Sequence, residues 1–240
     1  MTSRVYYVPG ALLLFAATVL LIITSVSLPY LPAIDFVRSH VESGNIRVAN
    51  AQGNAMSPSI SQLKFGLWSY CTIESPSGHR SCSTTGYAYS VRIRNNGSAG
   101  SVTIASSWTR GLAVHPVAAG VSFIAFLLSF STHTTVTLLA SLASFLAASL
   151  TLIAFAVDIA LFAFVKQEVG TLKNSHFVTN PAPAFWMTFA SFILLLLAGG
   201  TIWFGRRRQT RFDAADPSDS GPYQARHGGF WSRFRRTPKY

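Results

Sequence analysis

The chain has 240 residues, half of them apolar and only 11% charged, and its 19 Lys and Arg against 8 Asp and Glu give a formal net charge of +11. Mean hydropathy is +0.36, whereas about a quarter of an average soluble domain is charged. The aliphatic content excludes a disordered or collagen-like chain and the two cysteines exclude a disulfide-dense miniprotein, which leaves a polytopic membrane protein with basic ends.

A helix needs roughly 20 mainly apolar residues to cross about 30 Å of hydrocarbon. After residues 1–9, the first such stretch is 10–28, which Pro29 and Pro32 stop. Arg4, the apolar run and the small residues Ser25 and Ser27 also describe a cleavable signal peptide, whose removal would leave three spans.

Residues 29–111 are too many for a simple connector. Their first half, Asp35 to Ser61, is polar with weak periodicity and reads as mostly loop. From Leu63 onward strand signals begin, and Lys64 to Ile73 runs into a turn at Ser75-Pro76-Ser77-Gly78. Tyr87, Tyr89, Val91 and Ile93 alternate with Ala88, Ser90, Arg92 and Arg94, the period of a half-buried strand. Asn95-Asn96-Gly97 turns that strand toward a return near Ser101 to Ala105. The expected product is a small antiparallel sheet standing on the helices.

Cys71 and Cys82 flank the Pro/Gly turn. On an oxidising side of the membrane they read as a disulfide pinning the hairpin, against the alternatives of two free buried thiols or a metal site with only His79 nearby. Asn96-Gly97-Ser98 is an N-glycosylation sequon in the predicted turn.

The second span is 112–131, with Pro116 tolerated in its first turn. A tight turn at 132–134 leads to the third span, 135–165, making an antiparallel helical hairpin. The second loop is 166–183 and the fourth span 184–204. The tail, 205–240, carries nine Lys or Arg against Asp213, Asp216 and Asp219. By the positive-inside rule that tail is cytoplasmic, and four spans put the N-terminus there too. The basic residues of 29–111 do not oppose this orientation, since loops longer than about 60 residues translocate largely regardless of charge.

Gly66-Leu67-Trp68, then Cys71 and Cys82, between the first two of four spans, resembles the claudin-like superfamily. With Arg110-Gly111-Leu112-Ala113-Val114-His115-Pro116 and an Asp158-bearing third span, residues 8–208 resemble more specifically the fungal PalI family of pH-response regulators. The chain departs from the claudin pattern in having no tryptophan between Pro29 and Leu67. The resemblance implies an all-α membrane fold, a claudin-like, left-handed four-transmembrane-helix bundle with a small extracellular antiparallel β-sheet, in a fungal plasma membrane. It also implies a non-catalytic accessory that assists a multi-span receptor reporting ambient alkaline pH.

An acid at membrane depth is a functional candidate by default. Ala140, Ala143, Ala147, Thr151, Ala154 and Asp158 share one helical face, and small residues let membrane helices approach, so Asp158 should point into the bundle. It lies about 12 Å below the outer end of its helix, and His115 lies about 6–8 Å deep on the same scale. One reading is a His115–Asp158 contact that titrates with external pH. The other is a structural polar clamp, in which Asp158 stays protonated or bonds hydroxyls of the fourth span while His115 caps a helix start.

Arg206, Arg207 and Arg208 read as a stop-transfer signal. Phe230-Trp231-Ser232-Arg233-Phe234-Arg235-Arg236 interleaves aromatics with Arg233, Arg235 and Arg236, a pattern suited to an anionic membrane surface. The partners expected are therefore the lipid bilayer and a multi-span membrane receptor or other membrane proteins, with no nucleic acid. No phosphate loop, metal-ligand cluster or catalytic triad is visible in the sequence, so no cofactor and no enzyme activity are expected. The competing functions are an organiser of cortical plasma-membrane domains and cell-wall integrity, and a small channel or transporter.

Overall fold

The computed structural model describes residues 4–50, 57–96, 100–131, 134–172 and 175–214. The chain divides into two units, Met1–Gly205 and Arg206–Tyr240. Helix α1 is Arg4–Tyr30. The short α2, Ser106–Arg110, runs through a 3-10 turn at Gly111–Ala113 into α3, Val114–Ser129. Helix α4 is Thr134–Gly170 and α5 is Pro183–Ala214. Among the described residues four stretches are long and apolar enough to cross a membrane: Pro9–Tyr30, Ser106–Ser129, Leu138–Gly170 and Pro183–Thr201. Helix α1 leaves helical dihedrals at Ser27 and Leu28, just before Pro29, because a proline ring crowds the helical conformation of the residue preceding it.

Two of these helices outrun the expected bounds at the same end. The second begins at Ser106 rather than 112, and Trp108 stacks on Phe164 of α4 with ring centroids 4.2 Å apart. The third continues to Gly170 rather than 165, because Leu161, Val165 and Val169 belong to the core of a β-sheet cap. At about 1.5 Å per residue the 33 residues of Leu138–Gly170 reach about 50 Å, well beyond the hydrocarbon thickness of about 30 Å.

The cap holds two sheets rather than one. Its strands are β1 (Val37–Ser43), β2 (Ile46–Asn50), β3 (Ile60–Phe65), β4 (Tyr70–Glu74), β5 (Arg80–Cys82), β6 (Val91–Asn95), β7 (Ser101–Ile104) and β8 (His176–Pro181). One sheet has the order β5-β4-β3-β1-β8, the other β2-β6-β7, and every pairing is antiparallel.

Four sequence expectations are corrected here. The supposed loop from Asp35 to Ser61 contains β1 and β2. Val37 and Ser39 both face inward, and Ser39 Oγ meets Thr179 Oγ1 at 3.0 Å, so a polar residue occupies an interior position and hides the alternation. The single strand expected from Lys64 to Ile73 is two, β3 and β4, folded back at Gly66–Ser69, where the Gly66 N–H donates to Ser69 O. The strand expected from Tyr87 begins only at Val91, since Ala88 has φ 56°, a left-handed conformation that no strand accommodates. The 166–183 loop contains β8, which pairs with β1 from Val37↔Pro181 to Ser43↔His176.

The two halves have opposite interiors. The cap core is large and apolar, including Phe36, Phe65, Ile46, Leu63, Ile93 and Ile104. The bundle core is small: Ala17, Ala118, Ala119, Ala125, Ala147, Ala148 and Ala198 surround Leu14, Leu21 and Leu195, with Ser122, Ser144 and Thr151 also buried. Phe123, Ile124, Leu127, Leu142, Leu146 and Leu197 point outward. Close approach shows between α4 and α5, where Ser144 Oγ donates to Leu195 O at 3.2 Å. There a Cβ at Gly199 would meet the Phe145 ring at 3.3 Å.

Candidate functional site

Two of the contacts between cap and bundle gather the residues singled out in the sequence. The first is the Gly66-Leu67-Trp68 turn, which seats on the kink of α1. Ser27 and Leu28 lack the regular helical geometry, and the Ser27 hydroxyl accepts a bond from the Leu67 N–H at 2.9 Å. Trp68 Nε1 donates to Ser25 O at 2.8 Å. Gly66 is pressed so closely on Leu28 that a Cβ there would overlap Leu28 Cβ, which explains why this position carries glycine. The Tyr89 hydroxyl closes the turn from the other side by donating to Gly66 O at 2.7 Å. Burial pushes the Tyr89 phenol well above the usual tyrosine range, so it remains a donor in alkaline surroundings.

The second contact is a buried polar cluster. His115, one residue into α3, is fully buried, as are Asp158 on α4 and Thr188 on α5. His115 Nε2 lies 3.3 Å from Asp158 Oδ2 and 3.3 Å from Thr188 Oγ1. Thr188 donates its own proton to Ala184 O at 3.0 Å. His115 Nδ1 is 2.9 Å from Leu112 O. A carbonyl only accepts, so Nδ1 is the donor of that bond. Asp158 Oδ1 has no hydrogen-bond partner, an unsatisfied acceptor in a site that water does not reach.

The cap covers this cluster directly. The ring of Phe36 meets the His115 ring edge-on, with centroids 4.7 Å apart. Phe36 is held from both sides: its N–H donates to Phe65 O and its carbonyl accepts from the Ala182 N–H. Beside it, Asp35 is buried and takes a two-pronged contact from Arg38, Nε to Oδ2 at 2.9 Å and Nη2 to Oδ1 at 2.6 Å. That bond raises the Arg38 pKa. Asp35 O also accepts from the Ala184 N–H, the first turn of α5.

The other candidate residues lie apart. Cys71 and Cys82 are directly opposite on β4 and β5 and form a disulfide. Asn96 is exposed just after β6, its N–H bonded to Asn45 O; Gly97 and Ser98 of its sequon lie outside the described residues. Arg206, Arg207 and Arg208 fall within α5, and Arg233, Arg235 and Arg236 lie outside the described residues. Among the described residues no three His, Cys, Asp or Glu side chains gather as a metal site. Sequence reasoning missed Phe36, Asp35 and Ser27. The only available signal was an acid next to an aromatic, at the point where the chain leaves the first span.

Four apolar helices joined to a disulfide-bearing antiparallel cap define a claudin-like, multi-pass membrane protein. The family model for the SUR7/PalI family matches residues 6–198, and the chain belongs to that family. No curated protein matches it.

Proposed function

We propose that this chain is a non-catalytic accessory of the plasma membrane that supports a multi-span receptor in the response to ambient alkaline pH. In this reading both termini are cytoplasmic and the cap is outside. The nine basic residues of the tail against three acids support that orientation, and a disulfide in the cap suits an oxidising compartment.

The observation that carries the reading is the buried His115–Asp158–Thr188 cluster beneath the cap. The groups facing His115 are Asp158 from α4, the Thr188 hydroxyl from α5, Leu112 O from its own segment and the Phe36 ring from the cap. Among the described residues His115 and Asp158 form no ion pair except with each other. On this reading, a proton lost from the pair in alkaline surroundings leaves a buried carboxylate beside a neutral imidazole. Such a site favours an altered packing of cap on bundle, the two-state element that a receptor could read.

The test is deletion followed by growth at neutral and alkaline pH, with co-purification of a multi-span receptor from detergent extracts. Loss of alkaline growth, restored by the wild-type chain, is the expected result. The H115Q variant, expressed at the surface at wild-type level, should shift the pH dependence of the response. An unchanged dependence removes the pair as the sensor. Normal alkaline growth with a patchy, immobile surface distribution and altered cell-wall stress sensitivity would replace the reading with that of a cortical domain organiser. Ion or solute flux in reconstituted vesicles would point to a channel or transporter.

A further inference from the structure

The outward face of the three-stranded sheet carries a group of arginines that neither the Gly66-Leu67-Trp68 turn nor the buried cluster uses. In β6 the residues Val91, Ile93 and Asn95 are buried, so Arg92 and Arg94 face out; in β7 Val102 and Ile104 are buried, so Ser101 and Thr103 face out. In β2 Ile46 and Val48 are buried, and Arg47, on the same side as Arg94, is half-buried next to a buried Ala49. The register sets Arg47 directly opposite Arg94 and Arg94 opposite Ser101, while Ala49, Arg92 and Thr103 form the next row.

Two guanidiniums directly opposite on neighbouring strands repel one another. Among the described residues Arg47 Nε is buried without a partner, and Arg92 Nε makes a long bond to Thr103 Oγ1 at 3.4 Å. None of the three forms an ion pair among the described residues.

We infer that this face docks an acidic, extended segment of a neighbouring protein. Arg92 and Arg94 repeat every second residue, about 6.6 Å apart along a strand, which is also the spacing of carboxylates on one face of an extended acidic segment. Arg94, which is exposed, offers a carboxylate a forked pair of donors, with Ser101 directly opposite it on β7. The cap of a second copy offers no such acidic run, because Asp35 is buried against Arg38 and Glu42, Glu74 and Glu168 are isolated from one another in the sequence. The inference rests on the accessory reading above for the cap's access to partners, and names the chemistry of the partner.

The experiment uses the full chain in nanodiscs of neutral lipid and a fluorescent deca-glutamate peptide as the probe. Binding should saturate and weaken as salt rises. R92Q/R94Q should lower the affinity about tenfold, a loss equal to about 1.4 kcal/mol, while R80Q/R110Q, which removes the same charge from other exposed cap positions, should change it less than twofold. R92K/R94K, keeping charge without the fork, should fall between them, and equal melting midpoints establish that the variants are folded. No peptide binding, or equal losses in the two Gln pairs, overturns the proposal. Binding of heparin with the peptide silent overturns it in favour of an acidic polysaccharide. A peptide-binding failure leaves the alkaline-growth test of the accessory reading untouched, and normal alkaline growth of a deletion strain leaves the peptide result standing, so the two failures are distinguishable.

Discussion

The cap and the bundle are built from the same chain by inverted rules. In the cap the largest side chains are inside, as with Phe36, Phe65 and Ile93, and Arg94 and Glu42 are outside. In the bundle alanines and hydroxyls are inside, as with Ala118, Ser122, Ala147 and Thr151, while Phe123, Leu127 and Leu146 are outside. Water makes burial of large apolar area the driving force for the cap. Lipid offers the bundle no such gain, so close backbone approach and interhelical hydrogen bonds hold it together. The His115–Asp158–Thr188 cluster lies where these two regimes meet, with the cap's Phe36 over it.

The largest effect should come from leaving one member of that cluster without its partner. H115L strands Asp158 and should destabilise the fold by about 3–5 kcal/mol, whereas the H115L/D158L double variant should recover most of the loss, as buried pairs replaced by apolar residues do. Unfolding of the detergent-solubilised protein, followed by circular dichroism, measures both. A double variant no better than the single one would mean that the cluster is held by Thr188 and Phe36 rather than by the charge pair. Next comes the disulfide. C71S/C82S should cost about 2–4 kcal/mol, confined to the cap, so tryptophan fluorescence should report an earlier transition while helical signal persists. Joint loss of both signals would show that cap and bundle melt as one unit. Smaller again is G66A, whose added Cβ overlaps Leu28 and should cost about 1–3 kcal/mol. L28G in the same chain, which removes the Cβ that is overlapped, should relieve part of it. By contrast G120A, which meets nothing within 4 Å, should be neutral or slightly stabilising in its helix.

How far the sequence revealed this architecture also divides at the boundary. The bundle was legible because lipid demands long unbroken apolar runs, and the Ala140-to-Asp158 stripe follows from helical spacing alone. Depth arithmetic put His115 and Asp158 near one level; the structure puts Nε2 3.3 Å from Oδ2. Much of the cap was not legible. Strand β8 pairs with β1, and Ser39 and Thr179 that join them are 140 positions apart, a separation no local pattern encodes. The Gly-Leu-Trp turn looked like strand because its flanks are aromatic and β-branched, and its role depends on Ser25, Ser27 and Leu28, which read only as the end of a span. Phe36 was passed over as a loop residue because its polar neighbours mask the fact that it is fully buried.

The smallest expected effect tests whether the Gly66-Leu67-Trp68 clamp on α1 and the buried cluster respond to alkali separately. Tyr89→Phe removes the 2.7 Å bond to Gly66 O and should cost about 1 kcal/mol. Burial raises the Tyr89 pKa in the folded protein, and Tyr70 is raised by burial as well. A tyrosine whose folded pKa exceeds its unfolded value, about 10, contributes stability that is complete below pH 10 and is lost as pH climbs above it, since the unfolded chain then releases the proton more readily. Cap stability of the wild type should therefore be flat with respect to these phenols up to about pH 10 and fall beyond it, and Y89F should fall less steeply over that window. Any response of the wild type between pH 6 and 9 must then come from elsewhere, and H115Q rather than Y89F should alter it. A Y89F variant that shifts the pH 6–9 response while H115Q leaves it in place would move the alkaline trigger from the cluster to the clamp.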